Sequence, residues 1–161
     1  MSNPVVIDVV PGTSYADLTR EFDAPVEALF RAHADPELYV QWVGPRALDS
    51  VITDWDFRMG GSYGFEQTDP DGNTYGFRGV IHTVVENELI IQTFEYLGAP
   101  AEVSLDRLRF ESLPGGGSRL VGRSVFTSKE ALEGMIAEGM EYGVTEGYEK
   151  LDELLARGVA S

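Results

Sequence analysis

Between Leu48 and Phe126 the chain alternates apolar and polar residues at period two, and turn signals interrupt the alternation. That pattern commits the middle of the chain to antiparallel strands. The runs are LDSVITDW, GSYGFEQT, TYGFRGVIHTVV, ELIIQTFEY, EVSLDRLRFES and SRLVGRSVF. Between them stand Asp69-Pro70-Asp71-Gly72-Asn73, Glu86-Asn87 and Pro114-Gly115-Gly116-Gly117, whose residue types supply the backbone angles and local hydrogen bonds of tight turns. A sheet of this kind has to bury one face.

The flanking segments say what buries it. Thr13 to Asp23 is expected as a first strand, and Pro25 opens PVEALFRAHA, where Val26, Leu29 and Phe30 recur at helical spacing. Asp35 is placed to cap a second short helix, DPELYVQW. From Ser128 to Ala156 the pattern predicts one long helix with Ser128 as its cap, and no other element is long enough to cover the sheet. The expected fold class is α+β: a strand, two short helices, about six antiparallel strands and a long C-terminal helix. Residues 1–12 are expected as an N-terminal extension and residues 13–157 as one domain.

The turns fix registers, and the registers fix faces. Pairing Thr68 with Thr74 sets Phe65 opposite Phe77, Gln67 opposite Tyr75 and Tyr63 opposite Gly79. Pairing Val85 with Glu88 sets Phe77 opposite Tyr96, Gly79 opposite Phe94, Ile81 opposite Gln92 and His82 opposite Ile91. One face then carries Tyr63, Phe65, Tyr75, Phe77, Ile81, Phe94 and Tyr96. The other carries Arg78 opposite Glu95, a cross-strand ion pair that belongs in water. The aromatic face is expected to meet the terminal helix along Leu132, Ile136, Gly139, Met140, Gly143, Gly147, Leu151 and Leu154.

Within that stripe stands EGMEYGVTEG, with Gly139, Gly143 and Gly147 four residues apart, although each interior glycine costs a helix about 1 kcal/mol against alanine. Two readings are open. Either the aromatics fill the space the glycines vacate, or a hollow lined by aromatics, methionines and Gln92 survives to hold a small molecule. A membrane pairing motif fails, because Glu138, Glu141 and Glu146 interrupt the run.

Chemistry is sparse. With 27 acidic against 12 basic side chains the net charge is −15, which repels nucleic acid and anionic membranes. The absence of cysteine removes thiolate catalysis and cysteine zinc sites, and no metal or cofactor is expected. MSNPVVIDVVPG has neither a basic flank nor a long apolar run, so a cytoplasmic location and no membrane insertion are expected. His33 and His82 have no metal-binding spacing; His33 is expected to meet a helix dipole and His82 to face outward. Glu66, Asp106, Glu138 and Glu141 are acid–base candidates if buried. Arg58, before Gly60-Gly61, is expected in a surface or structural ion pair at a strand-start bend, and Trp42 either caps the core or lines a pocket mouth.

ADPELYVQWVGPRAL, DWDFRMGGSYGF, DPDGNTYGFRGVIHTVVE, IIQTFEY and EGMEYGVTEGYEKLDELLA resemble the bacterial single-domain proteins of the START-like (SRPBCC) superfamily, in the branch named after the activator of heat-shock-protein-90 ATPase. The resemblance runs from about Tyr15 to Arg157. It implies a helix-grip fold, a curved antiparallel sheet wrapped around a long C-terminal helix with a cavity between them. Relatives bind lipids, sterols, hormones or polyketides, and some cyclise or hydrolyse them. Many branch members have a tryptophan where this chain has Met140. The eukaryotic co-chaperone carries a separate N-terminal domain with no counterpart here, which speaks against chaperone stimulation.

The expected function is binding of an apolar or aromatic small molecule, such as a lipid or polyketide. Its site is expected at Trp42, Tyr63, Phe65, Tyr75, Phe77, Ile81, Gln92, Phe94, Tyr96, Met135, Met140 and Gly143, with no catalytic residue named. A cyclase or hydrolase using a pocket carboxylate or tyrosine is the second expectation, and a chaperone-interacting module the third. A homodimer stays open as an assembly.

Overall fold

The computed structural model describes residues 4–158. In chain order the elements are β1 (Val6–Val9), β2 (Tyr15–Phe22), α1 (Val26–Ala34), α2 (Pro36–Trp42), β3 (Asp49–Trp55), β4 (Ser62–Thr68), β5 (Thr74–Val85), β6 (Leu89–Tyr96), β7 (Val103–Ser112), β8 (Ser118–Val125), α3 (Lys129–Ala137) and α4 (Met140–Ala156). The strands form one antiparallel sheet in the order β1-β2-β8-β7-β6-β5-β4-β3. Each strand from β3 to β8 pairs with the next by a direct connection, whereas α1 and α2 carry the chain from β2 to the far edge. The result is the helix-grip fold, with the curved sheet closing on the C-terminal helices. The short strand β1 lies within the first twelve residues and pairs with β2.

The expected β4–β5 register is observed in full, from Thr68 opposite Thr74 to Tyr63 opposite Gly79. At β5–β6 two departures cancel. The turn is one residue longer than expected, with Val85 opposite Leu89, and the register shifts between Ile81 and Thr83. Phe77 therefore still faces Tyr96, and Ile81 still faces Gln92. His82 occupies the irregularity and is exposed, rather than standing opposite Ile91. A bulge of this kind absorbs one extra residue without moving the strand beyond it.

The long C-terminal helix is corrected by the structure. It breaks into α3 and α4 at Glu138 and Gly139, and Gly139 takes a left-handed φ of 92° that a helix interior never uses. The break lets the halves pack separately: Leu132 of α3 sits with Ala16 and Phe126, while Tyr148, Leu151 and Leu154 of α4 join Phe22, Phe110 and Leu120 of the sheet. As expected, Ser128 caps α3 by accepting from the Ala131 amide at 3.0 Å, and Asp35 caps α2 by accepting from Glu37 at 2.9 Å. Ser128→Ala should cost about 1 kcal/mol of unfolding free energy. An unchanged urea midpoint would show that the tertiary contacts of Leu132 alone hold α3.

The main core joins both short helices to the sheet and to the C-terminal half of α4. Ion pairs stand on both faces of the sheet. Arg20 on β2 is 2% exposed and holds Asp152 of α4 through two bonds of 2.9 and 2.7 Å. On the convex side Arg78 pairs with Glu95 at 2.8 Å, as the register requires. Arg58 pairs with Asp56 at 3.0 Å beside the bend at Gly60-Gly61.

Candidate functional site

The remaining glycines of α4 have two different causes. A Cβ on Gly147 would lie 3.2 Å from the Trp42 carbonyl and 3.3 Å from the Gly44 amide, so the helix needs that position bare to approach the end of α2. At Gly143 the added carbon would meet only Pro45 Cδ, at an ordinary 3.6 Å. Beyond Gly143 the space is open.

That space is a cavity of about 630 Å³ between the sheet and the joint of α3 with α4. Its sheet side carries Tyr63, Phe65, Tyr75, Phe77, Gln92, Phe94 and Tyr96, and its helix side Trp42, Met135, Met140 and Gly143. Eleven of the twelve expected positions thus border one hollow. Ile81 does not; it is 1% exposed and closes a small void of about 10 Å³ at the inner end. The aromatics form a continuous surface. Phe77 stacks on Phe65 at 4.9 Å and on Phe94 at 5.5 Å, with Tyr96 tilted against it at 5.3 Å. Each such ring pair adds about 0.5–1.5 kcal/mol beyond the area it buries.

Across this apolar floor runs one polar row. Ile81, Gln92, Asp106, Ser124 and Ala16 stand opposite one another on β5, β6, β7, β8 and β2. Asp106 accepts from Ser104 Oγ at 3.0 Å. Burial pushes its pKa up to about 6, against the hydrogen bonds from Ser124 and Ser104 that favour the carboxylate. Asp106 is only half-buried and borders the cavity, so access to solvent from that side makes the penalty smaller than full enclosure would. Burial also raises the hydroxyls of Tyr39, Tyr63 and Tyr148, and the nearby Asp106 charge adds to each. Tyr63 is held by donation to the Thr93 carbonyl at 2.6 Å.

His33 departs from its expected role. It lies in the last turn of α1, but it is buried, edge-on to Trp42 and Phe110, and burial drives its pKa down to about 4. A neutral ring gains nothing from the helix dipole. Trp42 takes both of its expected parts. It stacks on Tyr148 at 5.7 Å within the core, donates to the Ala32 carbonyl at 2.9 Å, and borders the cavity.

Tyr39, Tyr148, Gln67, Ser104 and Ser124 also border the cavity without having been expected there. Ser124 was accessible by extending the Ile81–Gln92 pairing across two further strands. Tyr39 had no such signal, because the docking angle of α2 is set by tertiary contacts. Among the described residues no group of three or more His, Cys, Asp or Glu side chains stands close enough to hold a metal ion. None of their helices is long and apolar enough to cross a membrane.

The model of the family described as Activator of Hsp90 ATPase homolog 1-like protein matches residues 23–156. Among solved structures the chain is similar to protein Ms6760 from Mycobacterium smegmatis, at 27% identity over 94% of this chain and 97% of that one, with a TM-score of 0.82. It is likewise similar to a protein from Rhodobacter sphaeroides, at 24% identity over 96% and 99% of the two chains and a TM-score of 0.85. A third similar structure is the AHSA1 protein from Silicibacter pomeroyi, at 23% identity, 89% and 99% coverage and a TM-score of 0.73. No curated protein matches the chain.

Proposed function

The chain belongs to the family of Activator of Hsp90 ATPase homolog 1-like proteins, and from that premise we propose that it binds an apolar or aromatic small molecule between its sheet and α4. The fold is of a ligand-binding type. The observation that carries the finer reading is the open volume of about 630 Å³ beneath Gly143, lined by stacked rings on one side and methionines on the other. Apolar area transferred from water into such a space contributes about 25 cal/mol per Å² before the costs of association.

Gly143→Leu tests it. The substitution removes a helix-interior glycine, which favours α4 by about 1 kcal/mol, and sends four carbons into the hollow. The neutral fluorophore N-phenyl-1-naphthylamine should bind the wild type and bind the variant at least tenfold more weakly, with unchanged circular dichroism. Equal affinity for the two proteins would remove the cavity from consideration. Native mass spectrometry of protein purified from its own host identifies the ligand class directly.

Asp106 favours a second reading, an enzyme of cyclase or hydrolase type. A half-buried carboxyl at the cavity wall, with a pKa raised to about 6 and three tyrosines near enough to feel its charge, suits proton transfer. An Asp106→Asn protein that converts a co-purified ligand as fast as the wild type would dispose of it.

A further inference from the structure

The void of about 10 Å³ adjoins the cavity as an annex whose lining it shares at His33, Tyr39, Tyr63, Gln92 and Leu108. It has room for a single oxygen atom. Among the described residues one buried polar atom of this shared lining has no partner: Nε2 of His33, a ring that is 6% exposed. Its protonation follows from geometry. Nδ1 lies 2.9 Å from the Leu29 carbonyl, which can only accept, so Nδ1 carries the hydrogen and Nε2 keeps a lone pair. Burial holds the ring neutral at pH 7, with a pKa near 4. An unmatched buried acceptor is costly, and a donor that reaches it recovers that cost.

We infer that the inner end of the cavity takes a hydroxyl group of the bound molecule, a phenol or an alcohol, which donates to His33 Nε2. This rests on the small-molecule reading above and names the ligand's chemistry. An anionic head group fits poorly. A carboxylate exceeds the annex, and Asp69, Asp106 and Glu138 border the cavity. Arg123 borders it too, but its guanidinium is taken by Asp17 at 2.7 and 2.9 Å.

The experiment uses two probes of equal shape, 2-naphthol and 2-methylnaphthalene, with binding measured by calorimetry. The wild type should prefer 2-naphthol about tenfold, and His33→Leu should abolish the preference while still binding 2-methylnaphthalene. In wild-type protein the ¹⁵N resonance of His33 Nε2 should move with 2-naphthol and stay put with 2-methylnaphthalene. If His33→Leu fails to fold, that resonance decides. Equal affinities, a preference that survives His33→Leu, or an unmoved resonance would overturn the inference. Binding of both probes without preference sinks the hydroxyl inference alone. Binding of neither, with Gly143→Leu making no difference, sinks the cavity reading and this inference with it.

Discussion

Asp152→Ala is expected to lower the unfolding free energy by about 3–5 kcal/mol, because it strands a charge in the interior. Arg20 is 2% exposed, and among the described residues the further groups on its guanidinium are the Glu21 carbonyl at 3.3 Å and the face of the Phe22 ring at 4.6 Å. Neither replaces the lost carboxylate. The opposite variant, Arg20→Met, should cost less, since the Asp152 side chain is 24% exposed and keeps access to water. The double variant Arg20→Met/Asp152→Leu should recover most of the loss, because neither desolvated charge remains. Urea unfolding of the three proteins provides the comparison. Equal costs for the single variants, or a double variant no better than Asp152→Ala, would mean that the buried guanidinium is solvated by some other route. The pair joins β2 to α4, so its loss should also loosen the closure of the helix on the sheet.

Asp106→Asn is expected to stabilise the protein at pH 7, by up to about 3 kcal/mol. In the folded chain the carboxyl has a pKa raised to about 6 from 3.8. A raised carboxyl adds no penalty below the unfolded value and the full penalty above the folded one, so stability falls as pH rises from about 4 to 6. His33 has the opposite sign. Its pKa is lowered to about 4 from 6.5, so stability rises with pH across nearly the same window. In the wild type the two slopes largely cancel. Removing Asp106 should expose the His33 slope, a gain of about 3 kcal/mol between pH 4 and 6.5. The lowered carboxylates Asp17, Asp69, Glu95 and Glu153 are common to both proteins and drop out of the difference. Urea titrations at pH 4, 5, 6 and 7 measure it. A difference independent of pH would show that Asp106 is ionised freely, solvated by water in the cavity.

Hairpin turns made the sheet legible, because each fixes a register and each register fixes a face. Phe65 opposite Phe77 needed no more than the Asp69 to Asn73 turn. The β5–β6 pairing survived only because an extra turn residue and the irregularity at His82 offset each other, and nothing in the local sequence marks either. The break at Gly139 was hidden for a physical reason. A glycine facing inward, one packing against backbone and one ending a helix look alike in a sequence, and only φ and neighbours separate Gly143, Gly147 and Gly139. Asp106 was one of four carboxylates picked from 27 acids, with nothing to separate it from Glu66, Glu138 and Glu141 until the β6–β7 register set it opposite Gln92. The role of His33 depended on how α1 docks against Trp42 and Phe110, which periodicity does not encode.

The Trp42–Tyr148 stack belongs to the core and to the cavity wall at once. Folding energy and occupancy are therefore linked. A molecule that binds only the folded chain raises its unfolding free energy by RT ln(1 + [L]/Kd), about 2.7 kcal/mol at a hundredfold excess over Kd. The melting temperature thus becomes a detector that requires no label and no prior guess at the compound, and a metabolite library can be screened by heat alone.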